Sequence, residues 1–308
     1  MKFVPSPLQI GDFRLFWLDG GIFDLDAGTM FGVVPRVLWE KKYPGRADGH
    51  LTLVNALLLI IAGNDRIVID TGLGNKLSAK QKKIFRVTGD WRVDEDLAGL
   101  GLRRDDITHV LLTHLDFDHA GGITRHGGDG GLELSFPHAR HYVQAGEWRD
   151  AIQPNLRSKS TYWPENFAGL RPGDNLCLLE GDSDIVTGVR AVHTGGHTRG
   201  HQAFRLASAG QSALHLGDLL PNHAHFNPLW VTAFDNFPLD SVEEKVRLID
   251  EGRRKNSWFT FYHDPYMQAC RLDGEGGIRE AWRNGFLAAD ELQELLGGNP
   301  GADVAALQ

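Results

Sequence analysis

The sequence predicts an α/β fold built in layers as one domain. Three observations carry this. Strand-like and helix-like patterns alternate with short connections along most of the 308 residues. Some strand patterns are apolar on both faces, as strands covered from two sides are. No internal repeat and no low-complexity linker divides the chain. Hydrophobic residues make up 42% and charged residues 23%, an ordinary globular balance that excludes a disordered chain or a fibre. Two cysteines, Cys177 and Cys270, are too few for a disulfide framework.

The elements follow in order. Phe13 to Asp26 reads as two strands around an Asp19-Gly20-Gly21 turn. Residues 27–50 have weak periodicity, two prolines and four glycines, and read as a long loop, a candidate lid or oligomer contact. Leu51 to Ile61 is a long apolar strand, turned by Gly63-Asn64-Asp65 into Arg66 to Asp70. Helices are expected at Ser78 to Val87 and Asp94 to Leu102, and a strand at Ile107 to Thr113. His141 to Val143 leads into a helix over Ala145 to Ile152. Strands follow at Leu176 to Leu179, Val189 to His193, Ala203 to Ala207 and Ala213 to Leu216. Ser241 to Lys255 is the clearest helix, with Ser241 and Glu244 as a capping box and Val242, Val246 and Ile249 as its apolar repeat. Trp258 to Tyr262 is a strand. Tyr266 to Leu272 and Ile278 to Trp282 read as a hairpin, followed by a helix from Asp290. Residues 1–298 form the expected domain and 299–308 a C-terminal tail.

Charge narrows the function classes. Forty acidic residues against 32 Lys and Arg give a net charge of −8, which argues against a nucleic-acid partner. The longest apolar run, around Ala56 to Ala62, is too short to span a bilayer, so no membrane association is expected. The N-terminal residues lack the apolar core of a secretory signal, and the cysteine count suits a reducing compartment. A cytoplasmic location is the expectation.

The chemistry concentrates in Thr113-His-Leu-Asp-Phe-Asp-His-Ala-Gly-Gly122. Four ligand-type side chains, His114, Asp116, Asp118 and His119, fall within six residues directly after a strand. A strand end is rigid and the loop lets its ligands converge. A polar loop capping a helix would not need four such groups. His197, Asp218 and His263 each stand just beyond a predicted strand. Imidazoles with carboxylates suit zinc, iron or manganese.

In these motifs the chain resembles the metallo-β-lactamase superfamily, whose first motif is usually His-x-His-x-Asp-His, followed downstream by His, Asp and His. The resemblance runs from Ile69-Asp70-Thr71-Gly72 to His263. It implies a four-layer αββα metallo-β-lactamase sandwich with two divalent metal ions. It implies that His114, Asp116 and His197 hold one ion, that Asp118, His119 and His263 hold the other, and that Asp218 bridges them. Asp70 corresponds to a carboxylate that orients a ligand imidazole. Asp116 departs from the pattern by replacing an imidazole. It makes the centre a weaker Lewis acid and shifts preference toward harder ions such as iron or manganese, while zinc stays the first expectation.

The chain is most similar to the lactonase and organophosphate-hydrolase branch. The implied reaction is opening of a lactone, or cleavage of a related ester, by a hydroxide shared between the metals, with Asp118 moving the proton. The partner is then a small-molecule ester or lactone. Phosphotriester or phosphoester hydrolysis on the same site is the alternative, and a diiron oxidoreductase a further one. A homodimer fits the oligomer reading of 27–50. His193 and His201 flank His197 and are expected to support it. Phe117 is expected to face substrate, and His223, His225 and Trp230 to line the pocket, with a histidine as proton donor. This branch often has a tyrosine three residues after the bridging aspartate, where this chain has Pro221. His109 and His215 read as core residues, and His50, His126, His138 and His141 as surface ones.

Overall fold

The computed structural model describes residues 6–128 and 130–283. Its strands in chain order are β1 (Leu8–Ile10), β2 (Phe13–Asp26), β3 (His50–Ala62), β4 (Asp65–Ile69), β5 (His109–Leu111), β6 (Thr124–His126), β7 (Leu132–Leu134) and β8 (Arg140–Gln144). They continue with β9 (Leu176–Leu179), β10 (Ser183–Val186), β11 (Val189–His193), β12 (Gln202–Ser208), β13 (Gln211–His215), β14 (Trp258–Thr260), β15 (Ala269–Leu272) and β16 (Ile278–Trp282). Two seven-stranded sheets result, β1-β2-β3-β4-β5-β8-β9 and β10 through β16 in order, with β6 and β7 as a small separate hairpin. The strands from β4 to β9 in the first sheet are parallel, as are β13 and β14 in the second.

β3 shows why the sheets stack. Nearly every residue in it is buried, and alternate side chains go to opposite sides. Leu58 and Ile60 join Trp17, Phe204, Leu206 and Trp258 in the core between the sheets. Leu57 and Leu59 face outward, in the cluster that holds Val93, Leu97 and Ala151 of the flanking helices Val93–Gly99 and Ala145–Ile152. The second sheet is covered on its outer face by helix Pro238–Arg254, through Leu248 against Leu214 and Phe259. The order is helix, sheet, sheet, helix, the four-layer sandwich expected. Each such buried Leu or Phe contributes about 1.5–3 kcal/mol.

Four local expectations are corrected. Asp19-Gly20-Gly21 is no turn: β2 runs through it, with Asp19 opposite Ala56 and Ile22 opposite Val54, which leaves one extra residue as a bulge. Gly21 adopts φ +109°, and a Cβ on Gly20 would lie 2.3 Å from Leu57 Cδ1. Segment 27–50 holds two short helices, Ala27–Phe31 and Arg36–Trp39. The long helix begins at Pro238, because proline tolerates a first turn that lacks its N–H partner. Ser241 is thus inside the helix, and the buried stripe is Ser241, Lys245, Leu248 and Gly252, while Val246 is exposed. His141 is fully buried, not a surface residue. The hairpin of β15 and β16 forms as expected, whereas the helix from Asp290 and the tail lie outside the described residues. Among the described residues no helix is long and apolar enough to cross a membrane.

Parallel neighbours bring loops to one edge. Asp70 leaves β4 beside the Thr113–His119 loop that leaves β5. The loops to Asp218 and His263 likewise leave the parallel pair β13 and β14. Gln202, at the start of β12, ties the two sheets: its backbone N–H donates to Thr113 O (2.9 Å) and its side chain to Leu112 O (2.7 Å).

Candidate metal centre

Two clusters of ligand atoms meet at this edge. His114, His197 and Asp218 offer atoms within 4.8 Å of one another, and so do Asp118, His119 and His263. Asp218 stands between the clusters. Its Oδ1 is 3.2 Å from His119 Nε2 and 3.4 Å from His263 Nε2, and its Oδ2 is 3.5 Å from His197 Nε2. Asp116 Oδ2 lies 3.6 Å from His114 Nε2 and 3.5 Å from His197 Nε2, which places this carboxylate on the first cluster. Asp118 Oδ2 lies 3.5 Å from His263 Nε2.

The outer contacts of the imidazoles fix their tautomers. His119 Nδ1 is 2.9 Å from Asp70 Oδ2, His197 Nδ1 is 2.9 Å from Asp235 Oδ1, and His263 Nδ1 is 3.1 Å from Val54 O. Each partner can only accept, so each Nδ1 carries the proton and donates it. His114 Nδ1 meets Thr113 Oγ1 at 2.9 Å, and that hydroxyl already donates to Asp70 Oδ2 (2.8 Å), so it too accepts. Four Nε2 lone pairs therefore point into one small volume. His114 Nε2 and Asp218 Oδ1 are buried there without a hydrogen-bond partner. A buried polar atom without a partner costs about 1–3 kcal/mol, so this donor set fits bound cations rather than an apolar core. Lone-pair imidazoles plus three carboxylates suit zinc, iron or manganese.

A metallo-beta-lactamase superfamily model matches residues 51–253. The chain belongs to that superfamily. A probable metallo-hydrolase of Mycobacterium tuberculosis is 31% identical over 219 residues, 62% of this chain; the match spans just under two thirds of that relative, 66%. An N-acyl homoserine lactonase of Bacillus thuringiensis is 29% identical over 207 residues, 67% of this chain and 75% of that protein. The crystal structure of a probable metal-dependent hydrolase from Staphylococcus aureus superposes with a TM-score of 0.85 at 40% identity, covering 91% of this chain and 100% of that one.

Within this superfamily member, Asp70 is held at φ +58°, a conformation costly for any residue with a Cβ. The strain puts its carboxylate under the ligand loop, where it accepts from Thr113 N (2.8 Å), Thr113 Oγ1 and His119 Nδ1. His201 Nε2 accepts from the backbone N–H of Asp218 at 3.3 Å, and its Nδ1 is 2.7 Å from Thr194 Oγ1. His201 thus touches Asp218, a candidate ligand, rather than hydrogen-bonding His197. His193 does not: it is exposed, with Nε2 on Arg199 O at 3.0 Å.

The clusters floor a cleft of about 220 Å³. Phe117 lines it and stacks on Phe85 (4.5 Å) and Trp163 (4.7 Å). Phe23, Met30, Leu53 and Phe234 complete the apolar wall, and Ser160 and Thr161 supply hydroxyls. No Lys or Arg is among the described residues that line it. The expectation for the run after Asp218 is corrected. His223 Nδ1 bonds Asp264 Oδ2 (2.6 Å) and its Nε2 bonds Lys42 O (2.9 Å). His225 is stacked on Phe31 with Nε2 on Met30 O (2.9 Å). Trp230 packs edge-on to Phe31 (5.8 Å). None of the three lines the cleft, because the chain after Pro221 turns outward to fasten segment 27–43.

Three contributors carried no motif in the sequence. Asp235, which orients His197, stands in a loop before Phe237-Pro238; burial acts to raise its pKa, but the hydrogen bond to His197 prevails and holds it below the usual range. Tyr262 lays its ring on His119 (4.2 Å) and donates its hydroxyl to Asp118 O (2.9 Å). Glu147 lies buried behind the ligand loop, with a pKa raised to about 7, chiefly by burial.

Proposed function

We propose that this chain is a binuclear metal-dependent hydrolase that opens lactones or cleaves related uncharged esters. The observation that carries the reading is the set of four inward Nε2 lone pairs and three carboxylates at the floor of an apolar cleft. His114, Asp116 and His197 would hold one ion and Asp118, His119 and His263 the other, with Asp218 between them. Divalent ions held there would lower the pKa of water and act as a Lewis acid.

The chain's own residues do the rest. Asp118 lines the cleft, placed to take a proton from water and return it to the leaving oxygen. Asp70 and Asp235 keep His119 and His197 in the tautomer that turns Nε2 inward. Phe23, Leu53, Phe85 and Phe117 exclude water and pack against the apolar part of the substrate. Three carboxylates, with no Lys or Arg among the described residues that line the cleft, disfavour anionic substrates, so the scissile group belongs to a neutral molecule. The lactonase relative of 29% identity supports the choice of a lactone. A neutral phosphotriester meets the same uncharged wall, which favours it as the second reading.

The test is a screen of lactones, aryl esters and phosphotriesters with the purified protein, paired with metal analysis. Lactone turnover lost on chelation and restored by zinc, iron or manganese is expected. Turnover of phosphotriesters alone would replace the first reading with the second, and turnover of neither would overturn both.

A further inference from the structure

Glu147 is a buried carboxylate with no ion pair among the described residues. It sits in the first turn of helix Ala145–Ile152. Burial of a carboxylate is costly unless hydrogen bonds satisfy it. Here three donors from three separate segments do so. The backbone N–H of Leu115 donates to Oε1 at 2.9 Å, the Tyr162 hydroxyl donates to Oε1 at 2.8 Å, and the Thr198 hydroxyl donates to Oε2 at 2.6 Å.

The position of each donor gives this node its meaning. Leu115 lies between His114 and Asp116. Thr198 follows His197. Tyr162 lies between Thr161, which lines the cleft, and Trp163, whose ring stacks on Phe117. The contact is tight: a Cβ on Gly200 would stand 2.2 Å from Glu147 N. The far end of the wall segment is fastened as well, because Arg157 donates to Asn236 Oδ1 (2.7 Å) and Ala233 O (2.6 Å), flanking Asp235.

We propose that Glu147 is a positioning residue that locks the substrate wall around Thr161–Trp163 to both loops of the His114–His197 metal cluster, so that one buried carboxylate sets wall order and metal retention together. The proposal rests on the reading of the clusters as a metal centre. Cutting either link loosens the same node. The Tyr162 link belongs to the wall, yet its loss reaches the metal loops through the shared carboxylate.

The test uses the metal-loaded protein and two readouts that need no turnover. One is amide hydrogen exchange; the other is the rate of metal release to a chromogenic chelator. Tyr162→Phe is expected to raise exchange across 158–163 about tenfold and to speed release of one of the two metals about tenfold. Thr198→Val is expected to speed release of the same metal. The two changes together should exceed the larger single effect by less than threefold, since both act through one carboxylate. Glu147→Gln, which keeps an acceptor for Leu115 and Tyr162, should stay within about threefold of the parent, whereas Glu147→Leu should match the double variant. If Glu147→Leu does not fold, the single-link variants decide. Unchanged metal release in Tyr162→Phe, or effects of the two links that multiply fully, would overturn the proposal. Failure to hydrolyse any lactone, ester or phosphotriester would refute the proposed function and leave these readouts unaffected.

Discussion

Removing the Asp235 carboxylate should weaken one metal site and spare the other. Asp235 Oδ1 accepts the Nδ1 proton of His197 at 2.9 Å and is steadied by Thr232 Oγ1 at 2.7 Å. The bond fixes which ring nitrogen faces the cluster and makes that nitrogen more basic. Loss of such a partner typically costs 10–100-fold in metal affinity, about 1.4–2.7 kcal/mol. Asp235→Ala leaves Nδ1 buried without an acceptor and should sit near the upper figure. Asp235→Asn keeps a neutral acceptor and should sit near the lower one. Asp70 makes the equivalent bond to His119, a residue of the other cluster, and also holds the Thr113 hydroxyl beside His114 Nδ1, so it serves both clusters. The assay is equilibration of each variant against graded free zinc, with bound metal counted per chain. Two-step curves are expected, in which Asp235→Ala moves one step and Asp70→Asn, which touches His119 directly and His114 through Thr113, moves both. Equal movement of both steps by Asp235→Ala, or movement of neither, would refute the tautomer argument.

Three further outcomes follow. His141 is buried with neither ring nitrogen partnered, and burial lowers its pKa to about 4. Between pH 4 and 6.5 the unfolded chain binds a proton that the native chain does not, so stability falls on acidification through that window, by up to about 3 kcal/mol. His141→Leu should remove this dependence, and denaturant titrations of the two proteins that stay parallel from pH 7 to pH 4.5 would contradict it. Gly196 adopts φ +83°, and a Cβ there would meet Ser241 Oγ at 2.5 Å and Ser241 Cα at 2.9 Å. Gly196→Ala should lower stability by more than about 2 kcal/mol, read as a lower unfolding midpoint. Phe117→Ala removes two stacked contacts, each worth about 0.5–1.5 kcal/mol, and should raise KM for an aryl ester about tenfold while metal content holds at the parent level.

The sequence made the candidate ligands legible because metal chemistry restricts residue types and strand ends restrict positions. Ligand-type side chains in the 113–122 loop, and single ones beyond three later strands, left few other readings. The layered fold was legible for a similar reason, since β3 is apolar on both faces. What was hidden depends on contacts between segments far apart in the chain. Asp235 reaches His197 across 38 positions, and Glu147 gathers donors from 115, 162 and 198. Neither has a spacing that marks it. His223 and His225 were misplaced because closeness to Asp218 in sequence suggested closeness in space, whereas the chain turns away at Pro221. Gly20-Gly21 has the composition of a turn, and only its pairing with β3 shows a bulge.

The claim beneath the rest is that two cations sit between these residues. Metal analysis of protein produced without added zinc, alongside Asp218→Ala, tests it most directly. Two equivalents per chain are predicted for the parent, and loss of bound metal and activity together for the variant, because Asp218 serves both clusters. Less than one equivalent in the parent, or two retained after Asp218→Ala, would contradict the account.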